Sequence, residues 1–182
     1  DTTPTQTALT ANNIGDLEKC INRAKELIQW EDGQKVKSGK NKVRAKGIST
    51  FWKTSTTATN AQSGTIIIFE ADGSVNLNCA AIELGQGTKT ILAQILAEKL
   101  GMDMNKIHVT MEVKTQYDPH QWRTVASSST FLAGRAVVYA ADHAIAQLKK
   151  TAAVVLQCAP DDLDVGGGRV YLKPDPTFGV DI

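Results

Sequence analysis

The sequence predicts an α+β fold, a two-layer sandwich in which helices cover a mixed β-sheet. Three segments have the 3.6-residue apolar period of helices, and two short segments flank a tight-turn signal as hairpin arms do. A further segment alternates apolar and polar residues as a half-buried strand does. The chain has 182 residues, of which 42% are hydrophobic, so it is long enough to bury a sizeable core.

The first predicted element is a helix that follows a polar lead-in. Residues 1–13 are rich in Thr, Asn and Gln without periodicity, and we expect a flexible lead-in there, with residues 14–182 forming one α+β domain. Asn13 or Asp16 is suited to cap the helix. Its apolar stripe consists of Leu17, Cys20, Ile21, Ala24, Leu27 and Ile28.

The segment after this helix is charged and mostly basic. Residues 31–46 contain the turn signals Asp32-Gly33 and Ser38-Gly39, which favour a solvated connection; the alternative is a patch for an anionic partner. Ile48, Phe51 and Trp52 favour a strand over residues 43–53, whereas Gly47 disfavours it.

A β-hairpin and a second helix come next. Residues 65–70 and 75–79 are the predicted antiparallel arms, because Asp72-Gly73 between them tolerates the positive φ of a tight turn. The helix is predicted from the apolar positions Ile91, Leu92, Ile95, Leu96 and Leu100, and Gly101 is suited to end it.

The last third of the chain predicts a strand, a long helix and a further strand. Residues 107–113 alternate between apolar and polar, and an irregular polar stretch over 114–124 follows. The helical pattern over 126–156 corresponds to about 45 Å, so we expect a break near residues 149–151. Residues 165–172 predict a turn that enters a strand, and a second turn is predicted at 173–176. Because the chain ends soon after this turn, we expect a truncated domain.

Composition excludes several classes of function. A formal net charge of +1 provides no basic footprint for nucleic acid, and no apolar run approaches the roughly 18 residues of a membrane span. Three widely spaced cysteines without CxxC spacing argue against a disulfide framework, a zinc site or an iron–sulfur cluster. We therefore expect a cytoplasmic protein.

The first candidate binding loop is residues 83–90, between the hairpin and the second helix. Gly85 and Gly87 allow a ligand to approach the backbone, Gln86 offers an amide between them, and the following helix presents unpaired N–H groups. The alternative is a simple strand-to-helix turn with Thr88 as the helix cap. A P-loop is excluded because its glycine spacing and lysine position are not met.

The second candidate loop is residues 124–130, at the start of the long helix. Its hydroxyl residues and backbone N–H groups are suited to bind phosphate oxygens, whereas the alternative is helix capping with tight packing. Two such helix starts in one small chain favour a single shared ligand.

No catalytic or metal-binding set is predicted. Neither loop combines a nucleophile with a base, and Glu83, a general base by position, is better explained by hydrogen bonds to the neighbouring loop. His108, His120 and His143 do not form a ligand set.

The ordered motifs resemble the molybdenum-binding subunit of the xanthine dehydrogenase and aldehyde oxidase family. The resemblance covers about residues 17–171. It rests on the order of the opening helix, which ends near Trp30, and of seven sequence motifs: Lys46-Gly47-Ile48, Asp72-Gly73-Ser74-Val75, Glu83-Leu84-Gly85-Gln86-Gly87, Ala97-Glu98-Lys99-Leu100-Gly101, Ile107-His108-Val109, Thr124-Val125-Ala126-Ser127-Ser128-Ser129-Thr130 and Gly134-Arg135-Ala136-Val137.

This resemblance implies a molybdopterin cofactor, in its simple or its dinucleotide form, and a set of residues that hold it. Gly85, Gln86 and Gly87 would lie near the pterin, Ser127 and Ser129 would donate to the phosphate, and Ala126 and Thr130 would supply backbone contacts. Members of the family hydroxylate a heterocycle or an aldehyde with water as the oxygen source.

The same resemblance implies protein partners: the rest of the molybdenum subunit, and iron–sulfur and FAD subunits or domains that accept the electrons. This chain departs from the family pattern at Ala80-Ala81-Ile82, at Ser128 and at Lys114. The family's Gly-Gly-Phe-Gly-Gly loop and its catalytic glutamate are not found, so the stretch alone is expected to be inactive. The alternatives are a non-catalytic phosphate- or small-ligand-binding domain and an interaction domain.

Overall fold

A computed structural model describes residues 15–33, 35–51 and 59–182, in two compact units, residues 1–54 and 55–182. The lead-in predicted for residues 1–13 lies outside the described residues. In the part of the chain that the structure describes, none of the helices has the length and apolar character that a membrane span requires.

The first unit contains the predicted helix and a hairpin that the sequence did not predict. Helix α1 (Leu17–Leu27) begins after Asp16, whose side chain accepts a hydrogen bond from the Lys19 N–H at 2.8 Å, which confirms the helix and one of its two candidate caps. A 3₁₀ turn over Trp30–Asp32 follows.

The connection predicted for residues 31–46 is solvated, but its backbone forms an antiparallel hairpin of β1 (Lys35–Gly39) and β2 (Lys42–Ala45). This hairpin was not predicted, because the basic residues that alternate with valine obscure the strand period. The strand predicted over 43–53 is found only where it overlaps β2, since described residues 46–51 contain no strand and 52–53 lie outside the described ranges.

The second unit contains the mixed sheet. Strands β3 (Ile66–Phe69) and β4 (Val75–Asn78) pair antiparallel, and β4 pairs in parallel with β5 (Ile107–Thr110). The hairpin prediction is confirmed: Gly73 has a φ of 75°, and the Ser74 N–H donates to the Asp72 carboxylate at 2.9 Å. Strand β5 starts where predicted but ends at Thr110 rather than at residue 113.

Two helices cover this sheet and complete the α+β sandwich. Helix α2 (Thr88–Leu100) ends at Gly101 as predicted, whereas its N-cap is Gly87, with a φ of 85°, rather than Thr88. Helix α3 (Ser129–Leu156) packs beside α2. The shared core is almost entirely aliphatic, and its fully buried side chains include Val75, Leu77, Leu92, Leu96, Leu100 and Val137.

Helix α3 continues through the predicted break at residues 149–151. Its 28 residues extend about 42 Å. The C-terminal part packs on a second antiparallel sheet of β6 (Leu163–Gly166), β7 (Arg169–Leu172) and β8 (Asp175–Asp181). Ala152 and Ala153 pack there against Leu163. This second core explains the helix length. Residues 173–174 form the predicted turn, whereas residues 175–176 already belong to β8, which was not predicted.

Two glycines in the helical layer provide a matched test of this packing. Gly101 has a φ of 60°, a left-handed conformation in which alanine is strained. An added Cβ would also lie 3.1 Å from the Gly166 Cα, so the Gly101→Ala variant would crowd the neighbouring backbone. We expect it to lower the free energy of unfolding by at least about 1–2 kcal/mol. At Gly134 an added Cβ would meet only the flexible end of Ile95, at 2.9 Å.

The Gly134→Ala variant should therefore change the free energy of unfolding by only about 1 kcal/mol or less, because the better helix propensity of alanine offsets the movement of Ile95. Urea unfolding of both variants measures the difference. Equal losses in the two variants would contradict this account of the packing.

Candidate functional site

The two candidate loops lie at one edge of the mixed sheet. One loop runs from the end of β4 to the start of α2, and the other runs from the end of β5 to the start of α3. Because β4 and β5 are parallel neighbours, the loops that follow them emerge at the same edge. The sheet topology therefore brings together two loops that are about forty residues apart in the sequence.

In the first loop, the Gln86 side chain is folded onto its own backbone. Its Oε1 accepts a hydrogen bond from the Leu84 N–H at 2.6 Å, and its Nε2 donates to the Ile82 carbonyl at 2.8 Å and to the Thr88 hydroxyl at 2.5 Å. Gly85 and Gly87 have φ values of 100° and 85°, which favour glycine. The loop is thus a closed, hydrogen-bonded turn.

Glu83 occupies the N-terminal end of α2. Its carboxylate accepts hydrogen bonds from the N–H groups of Gly85 at 2.8 Å, Gly87 at 3.0 Å and Lys89 at 3.1 Å. These backbone donors, that of Lys89 most strongly, hold the pKa of Glu83 below its ordinary value. The interpretation of Glu83 as a partner of the neighbouring loop is confirmed.

The second loop contains two consecutive left-handed residues before α3. Ala126 and Ser127 have φ values of 56° and 55°, and each such non-glycine residue costs about 1–2 kcal/mol. The hydroxyl of Ser128 donates to the Val125 carbonyl at 2.7 Å, so it does not cap the helix. Among the described residues, none caps the start of α3 through its side chain, unlike the start of α2, where Glu83 binds.

The loops meet around one cavity of about 400 Å³. A hydrogen bond of 2.8 Å from the Ile82 N–H to the Thr124 hydroxyl joins them. The cavity is lined by Leu84, Gln86, Thr88, Thr124, Val125, Ser127, Ser129 and Thr130. The two loops therefore line the same cavity, as a single shared ligand would require.

Four of the seven predicted cofactor-binding residues line this cavity: Gln86, Ser127, Ser129 and Thr130. The other three, Gly85, Gly87 and Ala126, lie at positive-φ positions that shape the loops. The residues missed were Leu84, Thr88, Thr124 and Val125. All of them lie within the two motifs, and the signal that could have found Thr124 is its place at the head of the hydroxyl-rich run.

The histidines and cysteines do not assemble into a metal site. No group of three His, Cys, Asp or Glu side chains suited to a metal occurs among the residues in 15–33, 35–51 and 59–182. Cys20, Cys79 and Cys158 are free. The chemistry of the cavity is therefore that of amide and hydroxyl hydrogen bonds.

Comparison with known proteins relates this arrangement to one family. A family model described as "Molybdopterin cofactor-binding domain" matches residues 23–180. The match covers most of the chain, so the chain belongs to this family of molybdopterin cofactor-binding domains.

Individual relatives agree with the family match. The putative xanthine dehydrogenase molybdenum-binding subunit of Escherichia coli K12 is 26% identical over 164 residues, which cover 88% of this chain and 22% of that protein. The carbon monoxide dehydrogenase large chain of Hydrogenophaga pseudoflava is 37% identical over 103 residues, 57% of this chain and 13% of that one. This chain thus spans only about a fifth or less of these relatives.

A solved structure shows the same fold. The CO dehydrogenase of Oligotropha carboxidovorans superposes with a TM-score of 0.60 and 30% sequence identity, over 66% of this chain and 15% of that chain.

The hydrogen bond between the loops can be removed without changing side-chain size. In the Thr124→Val variant the Ile82 N–H loses its partner, which should cost about 0.5–1.5 kcal/mol of the free energy of unfolding. Amide hydrogen exchange at Ile82 should accelerate. The same substitution at the exposed Thr90, on the first turn of α2, is the control. Unchanged exchange at Ile82 would show that this bond does not couple the loops.

Proposed function

We propose that this member of the molybdopterin cofactor-binding domain family forms one wall of the cofactor pocket in a molybdenum hydroxylase of the xanthine dehydrogenase and aldehyde oxidase type. The observation that carries the proposal is the convergence of two loops on one cavity, beside an α3 helix start that has no side-chain cap among the described residues. The family match to residues 23–180 supports the choice of cofactor.

The chemistry of the cavity fits a phosphate-bearing pterin. Hydroxyl groups of Thr88, Thr124, Ser127, Ser129 and Thr130 and the amide of Gln86 surround the space, and no carboxylate lines it within the described part of the chain. Backbone N–H groups at a helix start favour an anion, so the α3 end is suited to the phosphate. An anionic ligand can therefore be held without a basic surface.

Each predicted residue has a role in this arrangement. Ser127 and Ser129 would donate to the phosphate, and Ala126 and Thr130 would contribute backbone contacts at the α3 end. Gln86 would form a hydrogen bond with the pterin. Because its Nε2 already donates twice within the loop, the Gln86 side chain would accept through the second lone pair of Oε1, or would exchange one of its internal hydrogen bonds on binding. Gly85 and Gly87 would contribute the positive-φ turn that places Gln86 beside the pterin.

We infer the catalytic chemistry and the partners from the relatives. When bound, the cofactor supplies a redox-active molybdenum for hydroxylation of a heterocycle or an aldehyde. The xanthine dehydrogenase relatives support that substrate class, and two relatives named as subunits, one of a nicotinate dehydrogenase and one of a 6-hydroxypseudooxynicotine dehydrogenase complex, support a multi-subunit assembly. We infer iron–sulfur and FAD partners as electron acceptors, and a cytoplasmic setting consistent with three free cysteines.

Metal content tests the cofactor role directly. We expect full-length protein carrying Ser127→Ala together with Ser129→Ala, or Gln86→Ala, to retain several-fold less molybdenum per chain than the wild type. A charge-assisted hydrogen bond contributes about 1.5–3 kcal/mol, and about 1.4 kcal/mol corresponds to a tenfold change in affinity. Elemental analysis of the purified proteins gives the ratio.

Two substitutions at exposed residues that do not line the cavity are controls: Ser49→Ala, and Gln147→Ala on α3. Both should retain the wild-type molybdenum content. Equal metal in the cavity variants and the controls would refute the assigned residues. Protein without molybdenum, whose melting temperature rises with inorganic phosphate, would instead indicate the non-catalytic phosphate-binding domain.

A further inference from the structure

We propose that Glu83 is a positioning residue of the cofactor pocket. Its carboxylate occupies the N-terminal end of α2 and fixes the loop that carries Gln86. The start of α3 is then the helix end that receives the cofactor's anionic group. This inference rests on the proposed function, because it concerns how the same cavity is prepared for its ligand. Glu83 itself is not among the residues that line the cavity.

The first argument is the number and placement of the donors. Both carboxylate oxygens are used: Oε1 accepts from the N–H groups of Gly85 and Gly87, and Oε2 accepts from that of Lys89. The N–H groups at a helix start are those that would otherwise bind an external anion. With Glu83 in place, the start of α2 already has a carboxylate bound to one of its first N–H groups, that of Lys89, and this negative charge disfavours a phosphate at the same helix end.

The second argument concerns the geometry of Gln86. Glu83 holds the residues on both sides of Gln86 through their N–H groups, and Gln86 in turn binds Ile82, Leu84 and Thr88. These two sets of hydrogen bonds interlock across residues 82–89. Loss of the carboxylate would release Gly85 and Gly87, whose wide conformational freedom would let Gln86 leave its place at the cavity.

The third argument separates positioning from catalysis. The lowered pKa of Glu83 is due to backbone N–H groups rather than to a charged side chain, and the carboxylate is ionised and engaged at neutral pH. A general base must lie within hydrogen-bond reach of the proton that it takes. Glu83 does not line the cavity, and three backbone N–H groups hold its carboxylate within the loop, so its contribution is to hold Gln86.

The test compares Glu83→Gln and Glu83→Ala with Glu98→Gln in the full-length protein. Glu98 lies on α2, is exposed, and undergoes the same charge change. We expect several-fold less molybdenum and pterin per chain in both Glu83 variants and wild-type content in the control. Added acetate, a free carboxylate, should restore part of the cofactor content to Glu83→Ala and none to Glu83→Gln, whose amide still fills the space.

A pH profile of thermal unfolding provides a second readout. The folded-state pKa of Glu83 lies below its ordinary value of 4.5, so its contribution to stability is present above that pH and is lost as the pH falls through the folded-state pKa. The wild type should therefore melt at a higher temperature than Glu83→Gln at pH 7, and this gap should close in acid. If Glu83→Ala fails to fold, the isosteric Glu83→Gln still gives both readouts.

The outcomes distinguish this inference from the proposed function. Loss of stability with wild-type cofactor content in the Glu83 variants would overturn the positioning role and leave Glu83 a structural residue. If the Ser127 and Ser129 double variant loses molybdenum while the Glu83 variants keep it, only the positioning role fails. If that double variant also keeps its molybdenum, the proposed site fails as well.

Discussion

The parallel pairing of β4 with β5 is the constraint on which the candidate site depends. Val75 lies opposite Ile107, and Asn78 lies opposite Thr110, so both strands end at the same edge of the sheet. Each strand is followed by a loop and a helix, and the hydrogen bond from the Ile82 N–H to the Thr124 hydroxyl fixes the distance between the loops. The cavity arises from this repetition of one local pattern on two neighbouring strands.

The helical layer holds the two loops in register because both helices that begin at the cavity also share the core. Leu92 and Leu96 of α2 and Val137 of α3 are fully buried against the sheet, and Gly134 lets the helices approach closely at Ile95. The C-terminal part of α3 is held separately by the second sheet through Ala152 and Leu163. Helix α3 therefore has supports near both ends, which keeps its start in place.

The sequence predicted the elements whose signal is local. The apolar period of α2, the Asp72-Gly73 turn and the two loop motifs indicated the helices, the hairpin and most of the cavity-lining residues. Prediction failed where long-range packing decides: β8 forms because it pairs with β7, and α3 continues past Lys149 because Leu163 and Val170 cover it. The bond between Ile82 and Thr124 joins residues 42 positions apart, so no local pattern could indicate it.

The two helix starts at the cavity looked equivalent in sequence, yet the structure divides their electrostatic roles. The Glu83 carboxylate offsets the positive charge at the N-terminal end of α2. Gly85, with a φ of 100°, allows the turn that brings this carboxylate back to the helix. The start of α3 follows two residues in strained left-handed conformations, and no described side chain caps it. Strain of this kind persists only where the surrounding structure enforces it, and it is concentrated at ligand sites. Under the proposed function, this division would favour the α3 end over the α2 end for an anionic group. It relies on one internal carboxylate and, within the described ranges, on no basic side chain at the cavity.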